Sequence, residues 1–164
     1  MHPPSGPAWL IWLETSGLAV AMRQWLWLYP AVEVVHILGF VLVVGAGFFF
    51  DLRLLGFARE LPVSGLADHL LTWARRVFPV ILVTGFMMFT AHATEMAENP
   101  AFRVKLVLIL AAVLNAAAFH RWPFKSVPQW DVHAPAPPWA KLAAVLSLLC
   151  WTGAITCGRF LAYL

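Results

Sequence analysis

The chain has 164 residues, of which 62% are hydrophobic and 12% are charged, and its mean hydropathy is +0.78. Soluble domains are roughly 45–50% apolar and about 25% charged. The composition therefore predicts an integral membrane protein and excludes a nucleic-acid-binding module, a disordered tail, a disulfide-stapled secreted domain and a large soluble catalytic domain. The net charge of +3 is modest, so we interpret it as a signal of membrane orientation and not as a binding patch.

The first predicted element is an amphipathic helical segment at residues 8–29 that lies in the membrane interface. Aromatic side chains are concentrated there, and Glu14 and Arg23 interrupt the apolar sequence. Tryptophan and tyrosine prefer the headgroup zone, which favours an interfacial position over a membrane span. The aromatic residues are Trp9, Trp12, Trp25, Trp27 and Tyr29.

Four long apolar runs follow, and each is a candidate membrane-spanning helix. A span needs about 20 residues, with a usual range of roughly 17–25. The predicted fold is therefore an all-α, polytopic membrane four-helix bundle with an N-terminal interfacial amphipathic helix, in which residues 1–164 form one integral membrane domain. The predicted spans cover residues of about 30–50, 74–96, 101–120 and 140–160.

The connections between the spans differ in character. Residues 51–76 mix charged residues with leucines at helical spacing, which predicts a short amphipathic helix before the second span. Residues 98–100 predict a tight turn, and the proline-rich residues 121–139 predict a surface loop. Asp51 and Arg53, just past the first span, are expected to anchor that helix at the interface.

The basic residues are divided unequally between the two sides of this topology. The side with both termini holds four of them, namely Arg23, Arg103, Lys105 and Arg159. The other side holds seven, namely Arg53, Arg59, Arg75, Arg76, Arg121, Lys125 and Lys141. The positive-inside rule therefore predicts that both termini lie outside and that the longer loops are cytoplasmic.

Histidines within the spans are the main candidates for chemistry, because ionisable residues in a membrane usually face the bundle interior. His36 in the first span and His92 near the outer end of the second are predicted to be the two axial ligands of a b-type haem. Gly39 and Gly85 are expected to leave room for the haem ring. Because a haem with two histidine ligands has no open position, the predicted function is electron transfer at the outer side of the membrane.

Two other interpretations remain open. A copper, iron or zinc site is the first, and its candidate ligands are Glu33, His36, Met88, His92, Glu95 and Met96. This site would indicate metal handling or transport. In the second, the histidines only form hydrogen bonds and the methionines only fill gaps, as in a cofactor-free accessory subunit of a membrane complex.

On the opposite side, His69 and His120 are candidate ligands of a second haem. Asn115 is expected to form an interhelical hydrogen bond, and Gly153 to allow close helix approach. Cys150 and Cys157 lie about 10.5 Å apart along one predicted helix and therefore cannot form a disulfide bond with each other. Whether the chain is an enzyme does not follow from its motifs.

Three segments together resemble a family of small bacterial inner-membrane proteins of unknown function. The segments are VEVVHILGFVLVVGAGFFFDLRLLGF, NPAFRVKLVLILAAVLNAAAFHR and KLAAVLSLLCWTGAITCGRFLAYL. The resemblance implies a four-helix, histidine-bearing membrane protein and brings no activity with it. Its family-like positions are His36, Asp51, Arg53 and His120. The layout is also loosely similar to cytochrome b561-type and copper-resistance D-type membrane domains, which place histidines on facing helices.

The expected partners follow from these assignments. The lipid bilayer surrounds the chain, and a quinol or a redox protein exchanges electrons with the haem. A homo-oligomer or a larger membrane complex is compatible with the sequence, whereas a nucleic acid is not.

Overall fold

The structure, a computed structural model, describes residues 6–161 and 163, and the regular elements in this part of the chain are all helical. A π-helical turn at Ala67–Leu71 links α4 to α5, and a 3-10 helix at Pro123–Gln129 precedes α8. The α-helices are α1 (Ala8–Glu14), α2 (Gly17–Gln24), α3 (Leu28–Leu55), α4 (Val63–Leu66), α5 (Thr72–Ala91), α6 (Ala93–Glu98), α7 (Pro100–Arg121) and α8 (Pro138–Phe160).

Four helical stretches are long and apolar enough to cross a membrane, which confirms the all-α fold class and a multi-pass membrane protein. They are Leu28–Leu55, Val63–Ala91, Pro100–Arg121 and Pro138–Phe160. Leucines on the outer faces are largely exposed, for example Leu38 at 60% and Leu149 at 64%. Such a surface is stable only against lipid, because in water it would be a large apolar patch.

The second span departs from its predicted bounds. Its helix begins at Val63, continues through the π-turn and ends at Ala91, so that His92 lies outside α5. His92 has φ −142° and ψ 49°, which is not a helical conformation. The short α6 then lies where the sequence predicted the end of the span and the approach to a tight turn.

Local capping explains where two of the long helices begin or end. Gly56 ends α3 with a φ of 110°, a left-handed conformation that glycine adopts without steric cost. Asn99 begins α7 because its Oδ1 accepts hydrogen bonds from the backbone amides of Ala101 and Phe102, and Pro100 occupies the first helical position.

The predicted interfacial helix is two helices, α1 and α2, joined at residues 15–16. Ser16 caps α2 by accepting a hydrogen bond from the amide of Ala19 at 3.3 Å. Two long-range contacts hold the pair on the bundle, because Glu14 bonds to Thr94 in α6 and Arg23 donates to the Ala91 carbonyl at the end of α5. The tryptophan side chains of this segment remain largely exposed, as an interfacial position requires.

The spans pack in the spatial order α5, α3, α8, α7. Helix α3 contacts both α5 and α8, and α8 contacts α7. Gly153 permits the close approach of α7 and α8, since a Cβ there would lie 2.9 Å from Leu108, and Asn115 donates to the Ala143 carbonyl across this interface. The predicted close approach at Gly153 and the predicted interhelical hydrogen bond of Asn115 are both confirmed. The backbones of α5 and α7, both of which the structure describes in full, do not come into contact, and a cleft lies between them.

At the end of the bundle opposite the termini, Arg53 is buried and joins two loops. Its guanidinium donates to the backbone carbonyls of Leu61, Arg59 and Asp131 at 2.7, 3.1 and 3.0 Å. Asp51 is also buried, and the expectation that these two residues anchor α3 at the interface stays a prediction. Burial succeeds because the loop carbonyls satisfy the arginine.

The segment at 121–139 is a packed cap rather than the surface loop that its prolines predicted. Val127, Trp130 and Ala136 are buried in one cluster with Phe50 and Phe119 of the long helices. Proline is compatible with the first turn of a helix, where its missing amide has no intrahelical partner, so Pro123 begins the 3-10 helix.

Candidate functional site: a two-chambered cleft

The cleft between α5 and α7 contains two apolar chambers. The first, here called the His36 chamber, has a volume of about 340 Å³, and the second, the Asp51 chamber, has a volume of about 360 Å³. Phe78 and Trp151 line both, so these two side chains separate one chamber from the other. Apolar cavities of roughly 300–1,000 Å³ with a few polar groups are typical of small-molecule sites.

His36 is held on the wall of its chamber by α5. Its Nδ1 lies 3.0 Å from the Oγ1 of Thr84, and that hydroxyl donates its only proton to the Val80 carbonyl at 2.7 Å. With the hydroxyl proton on Val80, Thr84 can accept a hydrogen bond from Nδ1–H of His36, and this is the tautomer that the proposal below uses. The Nε2 atom keeps its lone pair and is free to bind a metal ion or accept a proton.

Gly85 allows the imidazole to lie against α5. A Cβ atom at this position would be 3.0 Å from Cε1 of His36, a contact too short for an ordinary side chain. Gly39 plays a different part, since a Cβ there would lie 3.0 Å from Ile81. Gly85 lines the His36 chamber, whereas Gly39 does not and faces the side chain of Ile81 instead.

The remaining polar and soft groups of the His36 chamber come from three elements. Lys105 of α7 lines it, as do Met88 of α5 and Met96 of α6. Phe89 and Phe102 stack at 5.4 Å between ring centroids and narrow the gap between α5 and α7 near the same end. A histidine, an ammonium group and two thioethers thus lie around one apolar space.

His92 lies apart from this chamber. It is exposed between α5 and α6, and its ring packs edge-on against Tyr29 at 6.5 Å between centroids. His92 follows Thr84, the partner of His36, by eight residues, which corresponds to about 12 Å along a helix. The structure therefore does not bring His36 and His92 together, and their pairing on one haem stays a prediction.

The carboxylates of the alternative metal site also lie outside the chamber. Glu33 and Glu95 are both exposed. Within residues 6–161 and 163, no group of three or more histidine, cysteine, aspartate or glutamate side chains is arranged to hold a metal ion. Of the six proposed ligands, the chamber brings together His36, Met88 and Met96.

The Asp51 chamber is lined by polar groups from all four spans. These are Asp51 of α3, Arg75 of α5, Asn115 and His120 of α7, and Ser147 of α8. His69 is exposed and its Nδ1 is 2.9 Å from the Gly65 carbonyl oxygen, so it does not line the chamber with His120. His69 and His120 therefore do not face a common cavity in the structure, and a second haem bound by this pair stays a prediction.

Sequence reasoning missed Thr84 and Lys105 as site residues. Threonine within an apolar run carries little signal, because its hydroxyl usually bonds to its own helix. The sequence indicates Lys105 only as one of the basic residues on the side with both termini. Its position within the third span was the available signal, since ionisable residues there usually face the bundle interior.

These features define a multi-pass membrane protein with four candidate spans and an apolar cleft that carries buried ionisable groups. The family of unknown function DUF6644 matches residues 9–164, and the chain belongs to this family. The predicted resemblance to a small membrane family of unknown function is thereby confirmed. No curated protein and no solved structure matches the chain, and the similarity to cytochrome b561-type and copper-resistance D-type domains stays a prediction.

Proposed function

We propose that the protein binds b-type haem in the His36 chamber, with His36 as an axial ligand, and relays electrons across this part of the membrane. One observation carries the proposal: His36 lines an apolar cavity while its Nδ1 lies 3.0 Å from Thr84, so a hydrogen bond donated from Nδ1–H to Thr84 leaves Nε2 as a metal ligand. Histidines that bind metals nearly always donate their other ring N–H to a protein or water acceptor in this way.

The chamber also suits the two kinds of surface that haem presents. Its aromatic and aliphatic walls match the apolar ring, and the cleft between α5 and α7 offers the ring a path from the bilayer. The ammonium group of Lys105 is a suitable counter-ion for a haem propionate. When bound, the haem iron supplies one-electron redox chemistry, and the protein sets its potential through the ligands and their surroundings.

The second axial ligand is the point at which structure and sequence differ. The sequence favours His92, which requires the end of α5 to rearrange toward the chamber, whereas Met88 and Met96 already line it. A methionine paired with a histidine raises the reduction potential of haem. Three variants, Met88→Leu, Met96→Leu and His92→Ala, distinguish these candidates. We expect the optical spectrum of the haem to change from low-spin to high-spin only in the variant that lacks the second ligand.

An electron relay needs a donor and an acceptor. We propose that a membrane quinol or a redox protein takes these roles. The proposed location is a bacterial inner membrane. Both termini face the periplasm in this proposal, because the side of the bundle that bears Arg53 and the 121–139 cap carries more basic residues.

Haem content of the purified protein tests the proposal. The protein is expressed with ample haem supply, and the haem per chain is measured by a pyridine haemochrome assay in the wild type, His36→Ala and His69→Ala. We expect about one haem per chain in the wild type and in His69→Ala, whose histidine is exposed, and a near-complete loss in His36→Ala. Full haem content in His36→Ala, at equal membrane insertion, contradicts the proposal.

A further inference from the structure

Asp51 is a buried carboxylic acid that lacks one of its hydrogen-bond partners. Only 5% of the residue is exposed, and its Oδ2 atom is buried with no partner among the described residues. Buried polar atoms are nearly always satisfied, and an unsatisfied one carries an uncompensated desolvation cost. A group that supplies a hydrogen-bond donor to this oxygen would therefore be bound favourably.

The walls around Asp51 indicate what kind of ligand the chamber can bind. Phe50, Phe78, Phe119 and Trp151 give the Asp51 chamber aromatic surfaces, and the cleft between α5 and α7 connects it to the bilayer. The ligand is therefore soluble in the membrane and offers a flat ring for stacking. Its polar part must include a donor that can reach Asp51.

Cationic groups on the walls favour a neutral ligand over an ammonium compound. Arg75 and His120 both line the chamber, and the Arg75 guanidinium also donates to the Leu71 carbonyl and the Thr72 hydroxyl. Both can donate to an oxygen on the ligand, whereas a second positive charge would be repelled by Arg75. A ring with two oxygens, one that donates to Asp51 and one that accepts from a wall residue, meets all these requirements.

We propose that the Asp51 chamber binds a membrane hydroquinone, with one phenolic hydroxyl donating a hydrogen bond to Asp51. The choice of a hydroquinone over another lipid-soluble phenol rests on the proposed electron relay, for which it is the donor. The two chambers share Phe78 and Trp151, so a hydroquinone bound beside Asp51 lies directly across these side chains from the His36 chamber.

Binding of decyl hydroquinone to the full-length protein in lipid nanodiscs tests this proposal. Isothermal titration under anaerobic conditions compares three probes, namely decyl hydroquinone, its dimethyl ether and decanol. The ether keeps the ring and the chain but lacks the donor, and decanol keeps the donor but lacks the ring. We expect each to bind the wild type at least about tenfold more weakly than the hydroquinone does, because the ether cannot donate to Asp51 and decanol has no ring to stack on the aromatic walls.

The variants assign the effect to Asp51. Asp51→Asn is expected to weaken hydroquinone binding about tenfold and to leave the ether unchanged, whereas the control Asp68→Asn, at an exposed acid, changes neither. Ala116→Phe fills the chamber from α7 without altering Asp51, and it should abolish binding of all three probes. This variant keeps the test decisive if Asp51→Asn fails to fold.

Several results would overturn the proposal. They are equal binding of the hydroquinone and its ether, unchanged hydroquinone binding in Asp51→Asn, and unchanged binding in Ala116→Phe. The titration is made on haem-free and haem-supplied protein alike. Hydroquinone binding by a protein that takes up no haem when haem is supplied would contradict the proposed relay alone, and haem uptake without hydroquinone binding would contradict this inference alone.

Discussion

His36 and Thr84 show how one residue sets the chemistry of another. The imidazole by itself could present either ring nitrogen to the cleft, and the hydroxyl of Thr84, 3.0 Å from Nδ1, gives that nitrogen a partner. The sequence predicts His36 as a ligand because an ionisable residue within an apolar span is rare and usually faces the bundle interior. It could not predict Thr84, since that requires knowing which face of α5 lies against α3.

Replacing Thr84 with valine tests this role at nearly constant volume. Without the hydroxyl, Nδ1 of His36 loses the partner that orients the ring, and we expect haem affinity to fall roughly 10–100-fold, as it does for other outer-shell partners of metal ligands. Haem titration of the haem-free protein measures the change. Thr90→Val is the matched control, because Thr90 is also buried in α5 but bonds only to the Met87 carbonyl of its own helix. Equal affinities for the two variants would show that Thr84 does not orient His36.

At the scale of elements, hydropathy predicted the four spans because lipid demands long apolar helices with their backbone groups satisfied. It placed the end of the second span beyond His92, since hydropathy carries no information on a single break such as the one at that residue. The 121–139 cap was also missed. Proline frequency indicates where a long helix stops, but it does not distinguish a packed 3-10 segment from an exposed loop.

The docking of α1 on α6 depends on the charge of Glu14. Its Oε2 accepts from the amide and the hydroxyl of Thr94 at 2.8 and 2.6 Å. Partial burial by itself raises the pKa of Glu14, but the bonds from Thr94 and the charge of Arg23 outweigh it, so the pKa lies below its ordinary value of 4.5. The ionised carboxylate of Glu14 therefore stabilises the docked position of α1 fully above pH 4.5. This stabilisation is lost as the pH falls through the lowered pKa.

Hydrogen exchange at the Thr94 amide measures this dependence. We expect a protection factor that is constant near neutral pH and declines below about pH 4.5 as Glu14 is protonated. Glu14→Gln, which carries no ionisable group, should show weaker protection with no such decline. The same decline in both proteins would assign the pH dependence to another residue.

At the scale of the whole molecule, the order of the helices creates the cleft. Helix α3 lies between α5 and α8, so α5 and α7 face each other across a gap that side chains only partly fill. The sequence predicted a bundle but not this order, because each span is apolar on most of its surface and amphipathicity does not specify its neighbours. The two chambers, and the roles of Lys105 and Asp51 in them, follow from the order alone.

Orientation in the membrane is a prediction at this scale. Single cysteines replace exposed acids at the two ends of the bundle, Glu98 and Glu60, in a chain whose Cys150 and Cys157 are alanine. A membrane-impermeant maleimide on intact spheroplasts should label Glu98→Cys and not Glu60→Cys, because the positive-inside rule places the end with Arg53 in the cytoplasm. Labelling of Glu60→Cys alone would reverse the topology and place the His36 chamber nearer the cytoplasmic side.

The central claim, haem in the His36 chamber, is tested most directly by an optical spectrum of the protein purified in mild detergent. The spectrum is taken as isolated and after dithionite, from cells with ample haem supply. The account predicts a Soret band that shifts on reduction together with a sharp α band, the signature of low-spin b-type haem. A protein that inserts fully into the membrane and is colourless under these conditions would contradict it.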